Sequence, residues 1–379
     1  LGDGRAILLG EAIDRRGQRR DIQLKGAGRT PYSRGGDGRA AIGPVIREYL
    51  VSEAMHALGI PTTRALAAVT TGDDVYRDTV LPGAVLTRVA DSHIRVGTFQ
   101  FFAARGDVDG LKALADYAIG RLYPDLASEP TPYLGLLRRV AERQASLVAA
   151  WLGVGFIHGV MNTDNSSISG ETIDFGPCAF MEAYDPATVF SSIDRNGRYA
   201  YQNQAGIAQW NLARLAETLL PLIDAGSEKA VQAANQVVVD FARMFTEAWY
   251  ATMRRKIGLA SEEEADGELI QALLDLLEAN EIDFTRGFRL LAEAAENAEE
   301  NGFLSLFAEP TGPRQWIARW HARARRDVVA DDARPALMRG ANPVYIPRNH
   351  LVEEAIQAAA ERGDLEPFEQ LAAVLAHPY

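Results

Sequence analysis

Three oxygen-bearing side chains in one loop-rich stretch are the first candidates for chemistry. The segment 155–176 reads GFIHGVMNTDNSSISGETIDFG, with Asp164 and Asn165 in a loop and Asp174 nine residues past Asn165, followed by Phe175-Gly176. One amide oxygen and one carboxylate suit a hard divalent cation that keeps several waters and bridges a polyphosphate. Taken singly, Asn and Asp in loops mostly close turns with their own side chains. The combination favours a magnesium–nucleotide site.

Upstream residues fit the same chemistry. Lys25 follows Gln23-Leu24 in a strand-like run, and Glu48 lies 23 residues later in a helix-like run. Kinase-type folds use such a lysine and helix glutamate as an ion pair that aims an amine at phosphate, followed in order by a metal-binding Asn and an Asp-Phe-Gly turn. Gly2-Asp3-Gly4-Arg5 offers backbone amides that can approach phosphate, a weak signal on its own. One position departs from the pattern. Where small-molecule kinases usually read His-Gly-Asp, this chain reads His158-Gly159-Val160. Valine cannot accept a proton, so Asp164, next to the metal-ligand Asn165, is the nearest replacement base. His158 reads as a structural loop histidine.

The elements that must position these groups follow from periodicity. Residues 6–11 and 21–25 predict two strands joined through a turn at Arg16-Gly17. Residues 44–58 predict a helix behind Pro44, ended by Gly59, and 63–69 and 84–90 predict further strands. From about residue 107 the pattern turns helical, with a long amphipathic helix over 135–153. Two short strands are expected at 166–168 and 172–173, around Ser169-Gly170-Glu171. Beyond about 205 the chain reads as mostly helical, with acidic runs at 262–268 and 293–300 expected to be solvated faces.

Composition bounds the reading. The 379 residues carry 39 Lys and Arg against 51 Asp and Glu, a net charge of −12, which argues against nucleic-acid backbones and anionic membranes as partners. Residues 1–105 hold 15 basic and 11 acidic side chains, leaving a net of −16 for 106–379, so an anionic small ligand is drawn to the first part. No apolar run is long enough to span a bilayer. The single cysteine, Cys178, excludes an intramolecular disulfide. The sequence opens at Leu1 without an initiator Met or a targeting pattern. A bacterial cytoplasmic location is therefore expected, with a mitochondrial one open.

Four long strings carry a specific resemblance: QLKGAGRTPYSRGGDGRAAIGPVIREYLVSEAMHALGIPTTRAL, LTRVADSHIRVGTF, GFIHGVMNTDNSSISGETIDFGP and NPVYIPRNH. They resemble the selenoprotein O (SelO/YdiU) family of protein adenylyltransferases, which have a pseudokinase fold. The resemblance implies ATP bound in a flipped orientation and AMP transferred from its α-phosphorus to Ser, Thr or Tyr hydroxyls of proteins, with pyrophosphate released. It implies that Lys25, supported by Glu48, holds the phosphates together with Arg88 and Arg95. Gly2, Gly4, Arg5, Asp37 and Gly38 match family positions around the nucleotide. Asn165 and Asp174 would ligate Mg²⁺ or Mn²⁺, and Asp164 would accept the hydroxyl proton. From the residues alone, Arg88 and Arg95, seven positions apart, read as plain surface charge. Many relatives carry Cys-x-x-Cys or Cys-x-x-selenocysteine near the C-terminus, whereas this sequence ends His377-Pro378-Tyr379. Cys178 is accordingly expected to be a small buried residue.

The expected fold class is α+β, a protein-kinase-like two-lobed fold with a small mixed β-sheet/helix N-lobe and a larger, mainly helical C-lobe. Residues 1–105 form the N-lobe, 106–204 the C-lobe core with the catalytic and metal-binding loops, and 205–379 the helical C-terminal part. Two other functions share these residues: a kinase-like phosphotransferase using Asp164 as base, and an inactive nucleotide-binding scaffold. Oligomeric state is left open by the sequence.

Overall fold

A computed structural model of the chain describes residues 4–224 and 228–379. The chain opens with a hairpin of β1 (Ala6–Ile13) and β2 (Arg19–Lys25). Gly17 takes a φ of +76° in its turn, and Asp14 Oδ1 accepts from the N–H groups of Arg16 and Gln18 at 2.8 and 2.9 Å. After the short β3 (Ala40–Ala41) comes α1 (Ile42–Ala57), which begins two residues ahead of Pro44 and is closed by Gly59 at φ +77°. β4 (Arg64–Tyr76) and β5 (Val80–Ala90) run longer than their apolar patterns, as an antiparallel pair with register shifts on either side of Ala67–Thr70. β5 pairs antiparallel with β2, β3 and β4, which makes a five-stranded sheet.

The buried face of β2 is polar. Asp21, Gln23 and Lys25 alternate inward and are 6%, 8% and 3% exposed. The β2–β5 register sets Gln23 opposite Arg88, which is also buried. A strand that turns charge inward needs partners on the facing elements, because burial of an unpaired charge is costly.

Helices dominate the rest. α2 (Val96–Ala103) starts before residue 107, because Val96 N–H is anchored on the Ser166 carbonyl at 2.9 Å. It is followed by α3 (Val108–Leu122), α4 (Pro132–Gly153), a two-residue β6 (Phe156–Ile157) and its partner β7 (Ala179–Phe180). Then come α5 (Gln204–Ile223), α6 (Glu228–Lys256), α7 (Asp266–Ala279), α8 (Phe284–Glu296), α9 (Thr311–Ala324), α10 (Arg334–Ala341), α11 (Asn349–Arg362) and α12 (Glu366–Leu375). None of the described helices is long and apolar enough to cross a membrane.

The buried side chains form three clusters. One gathers α2–α6 with the end of α1, a second gathers α6–α10, and a third joins the sheet and α1 to α11 and α12.

Two expectations are corrected. Segments 166–168 and 172–173 are not strands; each makes only an isolated bridge, Ser167 to Arg95 and Thr172 to Thr62. The intervening turn is held instead by α4, where Arg143 and Gln144 donate to the carbonyls of Ser169 and Ser167 at 2.8 and 2.7 Å. The run 262–268 is not wholly a solvated face. Asp266 is 1% exposed, and its Oδ1 accepts from Arg323 Nε at 2.6 Å, a partner 57 residues away that local patterning does not reveal.

Candidate active site

Lys25 ends β2, Glu48 lies mid-way along α1, and Arg88 sits on β5. The sheet register and the packing of α1 bring all three to Asp174. Lys25 Nζ donates to Glu48 Oε2 at 2.6 Å and also pairs with Asp174 Oδ1. Arg88 pairs through Nε with Glu48 Oε1, and its Nη groups reach Gln23 Oε1 at 3.3 Å and Asp174 Oδ1 at 3.2 Å. Arg95 is 2% exposed and near enough to help hold Asp174 ionised. Arg88 and Arg95 are therefore interior groups, and the plain-surface-charge reading fails.

The electrostatics follow from this pairing. Burial alone raises the pKa of Glu48, but the adjacent Arg88 and Lys25 outweigh it and hold the carboxyl below its usual range. The Asp174 side chain is part-buried, at 21% exposure; desolvation raises its pKa, but Lys25, Arg88 and Arg95 outweigh it and drive the value well below the ordinary carboxylate range. Three cations thus face two carboxylates, an excess of positive charge beside an open cleft. Such a site attracts polyphosphate.

The backbone at Asp174 is left-handed, with φ +67°, a conformation that an aspartate tolerates better than a branched residue. Its neighbours Ile173 and Phe175 are fully buried, and His158 Nε2 donates to the Ile173 carbonyl at 3.0 Å. His158 is itself fully buried and held neutral by burial. It supports the Asp174 turn, as expected of a structural loop histidine.

Asp174 also borders an open cleft of ≈ 650 Å³, where it meets Asp164, Asn165, Gly4, Arg5, Asp37 and Gly38. Gly2 lies outside the described residues. Asn165 Nδ2 donates to the Val160 carbonyl at 3.0 Å, which leaves its Oδ1 as the acceptor. Asp174 engages Lys25 and Arg88 through Oδ1, so Oδ2 remains for a ligand. Two hard oxygens fit a magnesium-like ion that draws its other ligands from phosphates and water. Among the described residues no three His, Cys, Asp or Glu side chains cluster as a self-sufficient metal site.

Asp164 approaches the start of α2 so closely that a Cβ on Gly97 would collide with its Oδ1. Gly97 was not singled out by the sequence, because nothing local links it to Asp164. The glycines of the cleft are tight for the same kind of reason. A Cβ on Gly4 would come 2.5 Å from the Tyr32 carbonyl, and Gly38, at φ +68°, would strike Gly28. Asp37 lies at the rim, clamped by Arg77 through two bonds of 2.9 Å that pull its pKa down to about 2. Arg34 sits 3.9 Å from Asp164 across the mouth. Arg34 and Arg77 also went unassigned in the sequence, although Arg34 lies in a conspicuous glycine- and arginine-rich segment. Cys178 is 1% exposed, with its thiol pushed up to about 12 by burial.

The structure thus joins a cationic cluster, through the one carboxylate of Asp174, to a glycine-walled cleft. The chain belongs to the protein adenylyltransferase SelO family, whose model matches residues 1–376. It is 64% identical over 380 residues to the protein nucleotidyltransferase YdiU of Rhizobium etli (strain CIAT 652), covering all of this chain and 76% of that protein. The like-named proteins of Rhizobium meliloti (strain 1021) and Agrobacterium fabrum are 62% and 60% identical, with all of this chain and 78% of each relative covered.

Proposed function

We propose that this chain is a protein adenylyltransferase that moves AMP from ATP to Ser, Thr or Tyr hydroxyls of proteins and releases pyrophosphate. Its fold is read as kinase-like and two-lobed, with residues 1–105 as the smaller lobe and 106–204 and 205–379 as the core and helical remainder of the larger. The observation that carries the reading is the separation of two carboxylates. Asp174 is tied into the cationic cluster, whereas Asp164 lines the cleft beyond it, beside a valine where a phosphotransferase would hold its base.

Lys25, Arg88 and Arg95 neutralise the phosphates of the reversed nucleotide, and Glu48 keeps Lys25 aimed. Gly4, Arg5, Asp37 and Gly38 surround the nucleotide, and Gly2 belongs to the same stretch. Asn165 and Asp174 hold Mg²⁺ or Mn²⁺, which supplies charge neutralisation on the phosphate oxygens. Asp164 takes the proton of the acceptor hydroxyl as its oxygen bonds to the α-phosphorus and the bond to the pyrophosphate oxygen breaks. Catalysis then rests on positioning and on charge stabilisation, with little covalent work for the protein. The bacterial relatives favour a cytoplasmic setting.

The test is incubation with ATP labelled separately at the α- and γ-phosphates. Label from the α position on protein, with pyrophosphate released, supports the proposal; label from the γ position makes the chain a kinase, and no transfer of either makes it a nucleotide-binding scaffold. Asp164→Ala should retain ATP binding and lose about 10²–10⁴ in transfer rate.

A further inference from the structure

α1 carries Glu48, yet nothing within α1 decides where that carboxylate stands relative to Asp174. The helix is sandwiched between the sheet and the C-terminal helices. Val45, Ile46, Leu50 and Ala54 share one buried cluster with Val352, Ala355, Ala359 and Leu375. Tyr49 meets Phe368 edge-on at 5.3 Å, and a Cβ on Gly43 would come 3.0 Å from Ile356 Cγ2. Apolar contact of this kind resists separation but is non-directional, so it limits sliding and rotation of α1 weakly.

A buried guanidinium supplies the missing direction. Arg47, adjacent to Glu48, donates from Nη1 to Asn349 Oδ1 at 2.9 Å and to the Cys178 carbonyl at 3.3 Å, and pairs through Nη2 with Glu353. Three segments converge on one planar fork: α1, the loop four residues beyond Asp174, and α11. The start of α11 is anchored in turn to the helical region, where Arg348 pairs with Asp283 at 2.8 Å and with Glu182. The segment leading into α11 is fixed as well, with Val344 N–H donating to the Pro378 carbonyl at 2.6 Å.

We propose that Arg47 is a positioning residue of the transfer site and that α11, through Asn349 and Glu353, is its support. The proposal rests on the AMP-transfer reading only for the name of the reaction. Arg47 sets both members of the Glu48 and Asp174 pair from a single side chain. A one-turn slip of α1 would move Glu48 by about 5.4 Å. Catalytic geometry is lost with displacements of about 1 Å.

The experiment compares wild type with Arg47→Ala, Arg47→Lys and Gly43→Leu in the full chain. It measures kcat, KM for ATP and for the acceptor, melting temperature, and amide hydrogen exchange in α1. Arg47→Ala should lower kcat by roughly 10–100-fold with the acceptor KM within about threefold, and should speed exchange in α1. Arg47→Lys should not rescue, because an ammonium cannot reproduce the planar fork. Gly43→Leu, which wedges α11 away without touching charge, should reproduce the kcat loss and keeps the test open should Arg47→Ala fail to fold. A kcat within about twofold of wild type in Arg47→Ala or, if that variant does not fold, in Gly43→Leu overturns the proposal. So does full rescue by lysine, or a kcat loss without faster exchange in α1. If wild type transfers the γ-label, the AMP reading fails while the same rate ratios still test Arg47; if it transfers neither, the metal-dependent ATP affinity of Arg47→Ala is compared instead, and an unchanged affinity overturns the proposal.

Discussion

Two of the buried charge clusters among the described residues are built differently. In the α7–α9 region, Arg323 pairs with Asp266 at 2.6 Å and donates to the Ser261 carbonyl at 2.8 Å. Asp327 accepts from the N–H groups of Ser261 and Ala260 at 2.8 and 3.1 Å, and Arg334 donates to the carbonyls of Ala324 and Val329 at 2.9 and 2.8 Å. Three cations, with Arg254 3.9 Å from Asp266, face four carboxylates there, since Arg323 also lies 3.4 Å from Glu263 and Arg334 3.4 Å from Asp331, and backbone groups take up much of the remaining hydrogen-bonding capacity. In the cluster around Asp174, three cations face two carboxylates, the bonds run between side chains, and one carboxylate borders a cleft. Burial and ion pairing alone therefore do not mark a functional site. A surplus of positive charge that borders an open cleft does.

The contrast can be broken by substitution, and the largest effect belongs to Asp174. Asp174→Ala should abolish metal-dependent ATP binding and lower transfer by about 10³ or more, read by nucleotide titration with and without Mg²⁺. Full activity in that variant would sink the metal assignment. Next, Lys25→Met should lower transfer by roughly 10²–10³ while leaving the melting temperature close to wild type, because Arg88 still faces both carboxylates. Arg323→Met should do the opposite. It removes the close partner of the buried Asp266, leaving Arg254 3.9 Å away, and costs about 3–5 kcal/mol in denaturant unfolding, while the folded fraction keeps its kcat.

The smallest effect concerns a buried carboxylate whose burial outweighs the pull of Arg20 and Arg143. Glu171 accepts from Asp91 N–H and, at 2.7 Å, from Ser169 Oγ, and burial pushes its pKa up to about 7. A pKa raised on folding means that its contribution to stability is full below the unfolded value and is lost as pH rises through about 7. Glu171→Gln cannot titrate, so its melting temperature should gain on wild type by a few degrees between about pH 5 and about pH 8. A gap that does not change with pH would contradict the assignment.

Much of the site was legible because its parts lie in short motifs. Lys25, Glu48, Asn165 and Asp174 stand in a recognisable order, and Val160 announced the absence of the usual base. The inward polar alternation of Asp21, Gln23 and Lys25 was there to be read as well, and would have pointed to Gln23. Gly97 and Arg47 were not legible. Each acts on a residue far along the chain, Asp164 for the first and Cys178, Asn349 and Glu353 for the second. The strands expected at 166–168 and 172–173 fail for the same reason, since the bridge partners of Ser167 and Thr172 are the distant Arg95 and Thr62.

The sequence by itself determined the strands, helices and turn chemistry that local periodicity and glycine conformation control, along with the family motifs and the surplus of positive charge in the first 105 residues. Tertiary structure alone decided which charges are buried together, that Arg88 and Arg95 are interior, and that α11 braces α1. The physical reason is range. Backbone propensity acts over a few residues, whereas pairing of buried charges and packing of helices depend on groups brought together from up to about 300 positions away.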